Sequence, residues 1–102
     1  MSDELNSKVD KTIAENFVVV FSKSYCPYCS STKKILEDKN VKYVAWELDQ
    51  MGEDGPAVQN YLVEKTNQRT VPNIFIKQQH IGGNDKLREL KDSGELDKLL
   101  TS

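Results

Sequence analysis

The apolar run Phe17-Val18-Val19-Val20-Phe21, followed after a short polar loop by Cys26-Pro27-Tyr28-Cys29, constrains this chain more than any other feature. A continuous β-branched and aromatic run bounded by polar residues reads as a buried strand. Ser22 to Tyr25 form a short loop. From Pro27 to about Lys39 the pattern is helical, because proline suits a first turn and Ile35 and Leu36 supply an apolar face. Asn40 suits the C-terminal cap. The two cysteines therefore fall where a buried strand hands over to a helix.

They are the only cysteines in the chain. A disulfide-stapled miniature fold uses more cysteines at longer spacings. A structural zinc site needs four ligands, and Cys26, Cys29 and the single His80 supply three. Two buried cysteines acting as small hydrophobes is the bland alternative. A redox pair fits the spacing better. Its reactive species is a thiolate, and Cys26 falls at a helix N-terminus, where unpaired N–H groups and the macrodipole favour negative charge. Cys29 lies one turn further in on the same face. Cys26 is thus the expected nucleophile, with Lys23 adding positive charge to its loop, and Cys29 the expected resolving thiol. Pro27 limits the loop between them. Tyr28 points outward and is expected to line a substrate groove.

The rest of the chain supplies the frame. Leu5, Val9 and Ile13 make a helical stripe, with Ser2 or Asp3 as N-cap and Asn16 at its end. Val41 to Leu48 reads as a second strand containing Tyr43, Val44 and Trp46. After a loop, Asp49 to Gly55, Asp54 is expected to cap a helix with Pro56 in its first turn and Val58, Tyr61, Leu62 and Lys65 along it. Thr70-Val71-Pro72-Asn73 leads into the strand Ile74-Phe75-Ile76. Lys77 to Gln79 connect it to a short strand, His80-Ile81. Gly82-Gly83 break the chain, and Asn84 or Asp85 caps a helix carrying Leu87 and Leu90. Gly94 interrupts that helix before a last turn with Leu96, Leu99 and Leu100. The first two strands, joined through a helix, are expected to be parallel with a right-handed crossover. The short connection after Ile76 permits only an antiparallel hairpin. The fold class is α/β, a four-stranded mixed sheet flanked by helices on both faces.

A chain of 102 residues is one domain, spanning residues 1–102, and 37% hydrophobic with 29% charged is a globular balance. Lys and Arg number 14 against 16 Asp and Glu, which argues against a general nucleic-acid binder. No apolar run approaches the roughly 20 residues that span a bilayer, so no membrane role is expected. Met1 to Thr12 resembles neither a secretory nor a transit leader, so the expected compartment is the cytoplasm, where thiols stay reduced.

In this element order a Cys-x-x-Cys at a strand-to-helix turn resembles the thioredoxin-like fold, and the details resemble the dithiol class of glutaredoxins. The resemblance rests on Ser22-Lys23-Ser24-Tyr25-Cys26-Pro27-Tyr28-Cys29, Asn67-Gln68-Arg69-Thr70-Val71-Pro72-Asn73, Ile74-Phe75-Ile76 and His80-Ile81-Gly82-Gly83-Asn84-Asp85. Thioredoxins usually carry Trp before the first Cys and Gly-Pro between the pair, and Tyr25 and Pro27-Tyr28 stand there instead. Lys77-Gln78-Gln79 lacks the Gly and Asn that glutaredoxins often carry in that turn.

The resemblance implies a glutathione-dependent thiol-disulfide oxidoreductase acting in electron transport, with glutathione as redox co-substrate. Its partners would be glutathionylated or disulfide-containing proteins, it would work as a monomer, and no metal is expected. By the same resemblance the Val71-Pro72 bond is cis and the Val71 backbone pairs with the ligand as an added strand. Gly83 allows close approach, and Asn84 and Asp85 meet the γ-glutamyl end. Lys23 and Gln68 meet the glycine carboxylate, with Arg69 secondary, and Thr70 shapes the loop. His80 and Trp46 read as structural. Some glutaredoxins instead bridge two subunits with an iron–sulfur cluster. Pro27, where cluster binders often have Gly or Ser, argues against that rival, and visible absorbance after anaerobic purification would discriminate.

Overall fold

Strand β1 (Val18–Ser22) is buried along its whole length, and its side chains divide between two cores. The structure, a computed structural model, describes residues 2–101. Around β1 stand helix α1 (Ser2–Glu15), helix α2 (Pro27–Asp38), strand β2 (Val44–Glu47), a 3-10 turn (Leu48–Gln50), helix α3 (Asp54–Thr66), strands β3 (Asn73–Ile76) and β4 (Gln79–Gly82), and helices α4 (Asn84–Ser93) and α5 (Glu95–Thr101). The sheet order is β2-β1-β3-β4. Strand β2 pairs parallel to β1, while β3 runs antiparallel to β1 and to β4.

The alternation of a strand's side chains builds both layers. Val19 and Phe21 of β1, with Phe75 of β3, meet Val9 and Ile13 of α1 and Val58 and Leu62 of α3. Val18 and Val20, with Ile74 and Ile76, meet Ile35 and Leu36 of α2, Leu87 of α4 and Leu96 of α5. Each fully buried aliphatic or aromatic side chain contributes about 1.5–3 kcal/mol. Trp46 lies half-buried on β2, edge-on to Phe21 with ring centroids 5.5 Å apart, a packing residue as expected.

Several boundaries differ from the expectation. Strand β1 begins after Phe17, which is 39% exposed, and extends to Ser22, which is buried. Strand β2 is shorter than Val41–Leu48. Val41 donates its N–H to Leu36 O and Asn40 to Glu37 O, with Asn40 at φ 57°, so these residues close the end of α2 as a Schellman cap. Leu48 enters the 3-10 turn. Asp54 and Asn84 are the first residues of their helices rather than caps, Asp85 lies second in its helix, and Pro56 is third in α3. Helix α1 runs from Ser2 to Glu15, so Ser2 and Asp3 are already inside it rather than capping it, and the position before Ser2 lies outside the described residues. Asn16 follows the helix and donates to Thr12 O at 2.8 Å. The β3–β4 hairpin turns on two residues, Lys77 and Gln78, both left-handed at φ 53° and 70°. That is the geometry of a primed two-residue turn, built here without glycine.

Antiparallel pairing of β1 with β3 sets Phe21 opposite Asn73. The loop that leaves β1 and the loop that enters β3 therefore emerge side by side, and the site lies between them.

Candidate active site

Helix α2 starts on Cys26, whose extended backbone (φ −88°, ψ 117°) occupies the N-cap position. Its sulfur takes the place of a capping oxygen. The Cys29 N–H donates to Cys26 Sγ at 3.3 Å, and the Ser30 N–H reaches Cys26 O at 3.1 Å. A sulfur that receives an otherwise orphaned N–H is placed to carry negative charge. Both cysteines are free thiols, Cys26 half-buried and Cys29 wholly buried. Burial, followed by the neighbouring Cys26, pushes the Cys29 thiol up to about 11. At neutral pH Cys29 is a protonated thiol.

The loop before Cys26 is tied at two points. Cys26 N donates to Lys23 O at 3.1 Å. The Asp49 carboxylate grips Ser24 twice, accepting from its backbone N–H at 2.9 Å and from its hydroxyl at 2.5 Å. Those bonds, the hydroxyl's first, hold Asp49 below the usual carboxylate range. Asp49 is itself held by the fold. A Cβ on Gly55 would stand 2.1 Å from Leu48 O, so only glycine lets the start of α3 pack against the 3-10 turn.

The Val71-Pro72 bond is cis, as the resemblance implies, and Val71 O lies 3.9 Å from Cys26 Sγ. Two grooves flank this meeting point. The first has a volume of about 600 Å³ and is lined by Tyr28, Gln68, Thr70, Val71, Pro72, Gly83, Asn84 and Asp85, with Lys86 and Glu89. The second, of about 410 Å³, includes Lys23, Tyr25, Asp49, Gln59 and Arg69. Tyr25 is 70% and Tyr28 62% exposed, one beside each groove. No group of three or more His, Cys, Asp or Glu side chains suited to a metal ion occurs among the described residues.

The glutaredoxin family model matches residues 18–81, a span that contains the cysteine pair and the Val71-Pro72 loop. The chain belongs to the glutaredoxin family. It is 50% identical over 99 residues to glutaredoxin-1 of Rhizophagus irregularis, with 97% of each chain covered. It is 49% identical over 92 residues to glutaredoxin-2 of Schizosaccharomyces pombe, covering 90% of this chain and 83% of that one. Among solved structures, a buckwheat glutaredoxin–glutathione complex superposes with a TM-score of 0.93 at 43% identity, covering 98% of this chain and 90% of the other. The thioredoxin-like fold expected from the sequence is the fold of these neighbours.

Within this glutaredoxin the residues singled out from sequence converge with one displacement. Tyr28, Thr70, Val71, Pro72, Gly83, Asn84 and Asp85 share the first groove. Lys23 faces the second groove with Arg69. Gln68 was expected beside Lys23, yet it lines the first groove, and its amide is already engaged. Nε2 donates to Thr70 O and Pro72 O, each at 3.0 Å, and Oε1 meets His80 Nε2 at 3.2 Å. Gln68 therefore braces the loop from within. His80 takes part in that brace, and burial holds its ring below the ordinary histidine range, so it is neutral at pH 7. Asn84 is buried, and its Oδ1 accepts from Thr32 Oγ1 at 2.9 Å. Its side chain thus locks α4 to α2, while its place at the start of α4 faces the groove.

Two contributors were not legible. Gln59 donates through Nε2 to Arg69 O, and its Oε1 is buried without a partner at the edge of the second groove. In the sequence it is one polar residue of an amphipathic helix. Asp49 read as loop, although an acid just beyond β2, which pairs with the strand leading to the cysteines, was a usable signal.

Proposed function

We propose that Cys26 is the attacking sulfur and Cys29 the resolving sulfur of a glutathione-dependent thiol-disulfide oxidoreductase, the activity of the family to which this chain belongs. The observation that carries the assignment is the asymmetry of the pair. Cys26 is half-buried and holds a helix N–H on its sulfur, while Cys29 is wholly buried and protonated.

The Cys26 thiolate attacks the glutathione sulfur of a protein–glutathione mixed disulfide. A Cys26–glutathione disulfide forms, the protein's sulfur leaves with the electron pair, and it takes up a proton. A second glutathione thiolate attacks the bound glutathione sulfur, releasing oxidised glutathione and restoring Cys26. With a protein disulfide, Cys26 attacks first and Cys29 displaces the protein by closing the Cys26–Cys29 bond, which glutathione then reduces.

Glutathione lies along the Val71 backbone, its γ-glutamyl end toward Gly83, Asn84 and Asp85 and its glycine carboxylate toward Lys23 and Arg69. Support comes from the grooves on either side of Val71 and from the glutathione held by the buckwheat relative. Tyr25 and Tyr28 offer exposed aromatic surface to the substrate protein. We assign the cytoplasm as the working compartment, electron transfer from its glutathione pool as the role, and the monomer as the working unit.

The test is glutathione-coupled reduction of a small mixed disulfide and of a protein disulfide. Cys26→Ser is expected to abolish both. Cys29→Ser is expected to lose the second and keep the first. A Cys26→Ser enzyme that still turns over the mixed disulfide would reverse the assignment.

A further inference from the structure

The single histidine takes no part in the thiol chemistry, yet its hydrogen bond leads to the backbone edge beside Cys26. Thr70 and Pro72, on either side of Val71, give their carbonyls to one group. Gln68 Nε2 donates to Thr70 O and to Pro72 O, each at 3.0 Å. A side-chain amide has two N–H donors, so both are spent on these carbonyls. The Val71 carbonyl between them is left to the cysteine, 3.9 Å from Cys26 Sγ. The brace is itself anchored: the Gln68 backbone N–H donates to Thr66 Oγ1 at 3.1 Å, and that hydroxyl donates to Leu62 O of α3 at 2.7 Å.

His80 decides which way round the amide stands. Gln68 Oε1 lies 3.2 Å from His80 Nε2 and accepts its N–H. An amide turned over would set Oε1 against two carbonyl oxygens and its NH2 against the ring N–H. Strand β4 aims the ring at this oxygen. Phe75 pairs with His80 and Ile74 with Gly82, so Ile81 is an extra residue on β4, and such a bulge re-aims the side chains beside it. The His80 ring packs against Phe75, with centroids 5.3 Å apart. Gly82 follows at φ 122°, and a Cβ there would stand 3.9 Å from Gln68 Oε1.

We propose that Gln68 and His80 are positioning residues for the ligand-pairing edge of Val71. His80 orients the Gln68 amide, and the amide ties down the carbonyls flanking Val71, so that the Val71 backbone alone is presented to the cysteine residue of glutathione. This rests on glutathione lying along Val71. Neither side chain touches the reacting sulfurs. Gln68 has no N–H left for a ligand carboxylate, so it acts on glutathione only through Val71. His80 in turn acts only through Gln68, which makes the two effects dependent rather than additive.

The experiment measures reduction of the glutathione–cysteamine mixed disulfide by the full-length protein at saturating glutathione, with KM and kcat resolved. Gln68→Met keeps the length of the side chain without its hydrogen bonds and is expected to raise KM about tenfold. His80→Phe keeps the packing on Phe75 and is expected to raise it about fivefold. In both, kcat should stay within about twofold of the wild type, because the sulfurs are untouched. The double variant is expected to match Gln68→Met and not to reach the product of the two, about fiftyfold. His80→Gln, which keeps an N–H donor, should bring KM back to within about twofold of the wild type. A second probe is the same disulfide methylated at the cysteine nitrogen of glutathione, which removes the N–H that pairs with Val71 O. The wild type is expected to show a KM about tenfold higher for it. Single variants with the wild-type KM, a double variant at the product, or a His80→Gln that follows His80→Phe would each overturn the positioning role alone when the methylated probe is still disfavoured. An unchanged KM for the methylated probe overturns it together with the pairing along Val71.

Discussion

The two grooves beside Val71 are held open by different physics. The first is framed by neutral hydrogen bonds: a buried one from Thr32 to Asn84, and half-buried to exposed ones joining Gln68 to Thr70, Pro72 and His80. The second is framed by backbone packing at Gly55 and by charge, half-buried at Lys23 and exposed at Asp49 and Arg69. Buried neutral bonds fix shape and are costly to break singly, while exposed charges cost little to remove and act mainly on a charged ligand. Shape at one end and charge at both ends suits a small zwitterion laid across a fixed backbone edge.

The sharpest way to break the second groove is Gly55→Ala. Its new Cβ meets a backbone oxygen rather than a yielding side chain, so the variant is expected to lose about 3 kcal/mol, the upper end for overpacking. That would lower the thermal midpoint by more than about 10 °C in a domain of this size. An unchanged midpoint would show that the 3-10 turn is free to move. The matching change in the first groove is Thr32→Val. It leaves Asn84 Oδ1 buried without a donor, at a cost of about 2 kcal/mol, read in the same unfolding experiment. A loss below about 0.5 kcal/mol, the range of ordinary surface changes, would remove the Thr32–Asn84 bond from the frame.

Charge substitutions should divide the other way. Lys23→Ala, Arg69→Ala and Asp85→Ala each remove a solvent-accessible charge, half-buried at Lys23, worth about 1 kcal/mol to a charged ligand. The KM for glutathione is expected to rise several-fold in each, with added salt weakening the wild type in the same sense. Saturation curves that overlay the wild type's in all three variants would leave recognition to the Val71 backbone alone. The smallest effect concerns Asp49. Its carboxyl is held low in the folded state, first by the Ser24 hydroxyl and then by the Ser24 N–H. The stability it supplies is fully present above the unfolded carboxylate value of about 3.9 and is lost as pH falls through the lower folded value. Urea midpoints of wild type and Asp49→Asn should therefore differ by a constant above about pH 5 and converge toward pH 2. A pH-independent difference would mean that the charge of Asp49 does not hold the loop.

What was legible from sequence was local. Phe17–Phe21, Pro27 after Cys26 and Gly82-Gly83 carry their meaning in their immediate neighbours, through burial, a preset φ and a helix start. The cysteine pair was placed on that basis, while the Val71-Pro72 loop and the Gly83–Asp85 turn entered the site through the resemblance to glutaredoxins. What escaped depends on register. Gln68 is engaged by the carbonyls of its own loop, Thr70 and Pro72, and by His80, which the β3–β4 hairpin brings back beside it. Gln59 and Asp49 sit on polar stretches of ordinary appearance, and their work is assigned by residues far away in the chain.

The antiparallel pairing of β1 with β3 also fixes when the site comes into being. Phe21 and Asn73 are partners, so joining them closes a loop on the order of fifty residues, a slow and entropically costly contact. A ribosome has made more than half the chain before the Val71–Pro72 loop exists to face the cysteines. Until β3 docks, Cys26 has no Val71 carbonyl beside it and the first groove lacks its Val71-Pro72 wall. The Val71 edge beside Cys26 is thus a property of the finished sheet, whereas the helix N–H on the Cys26 sulfur belongs to α2 alone.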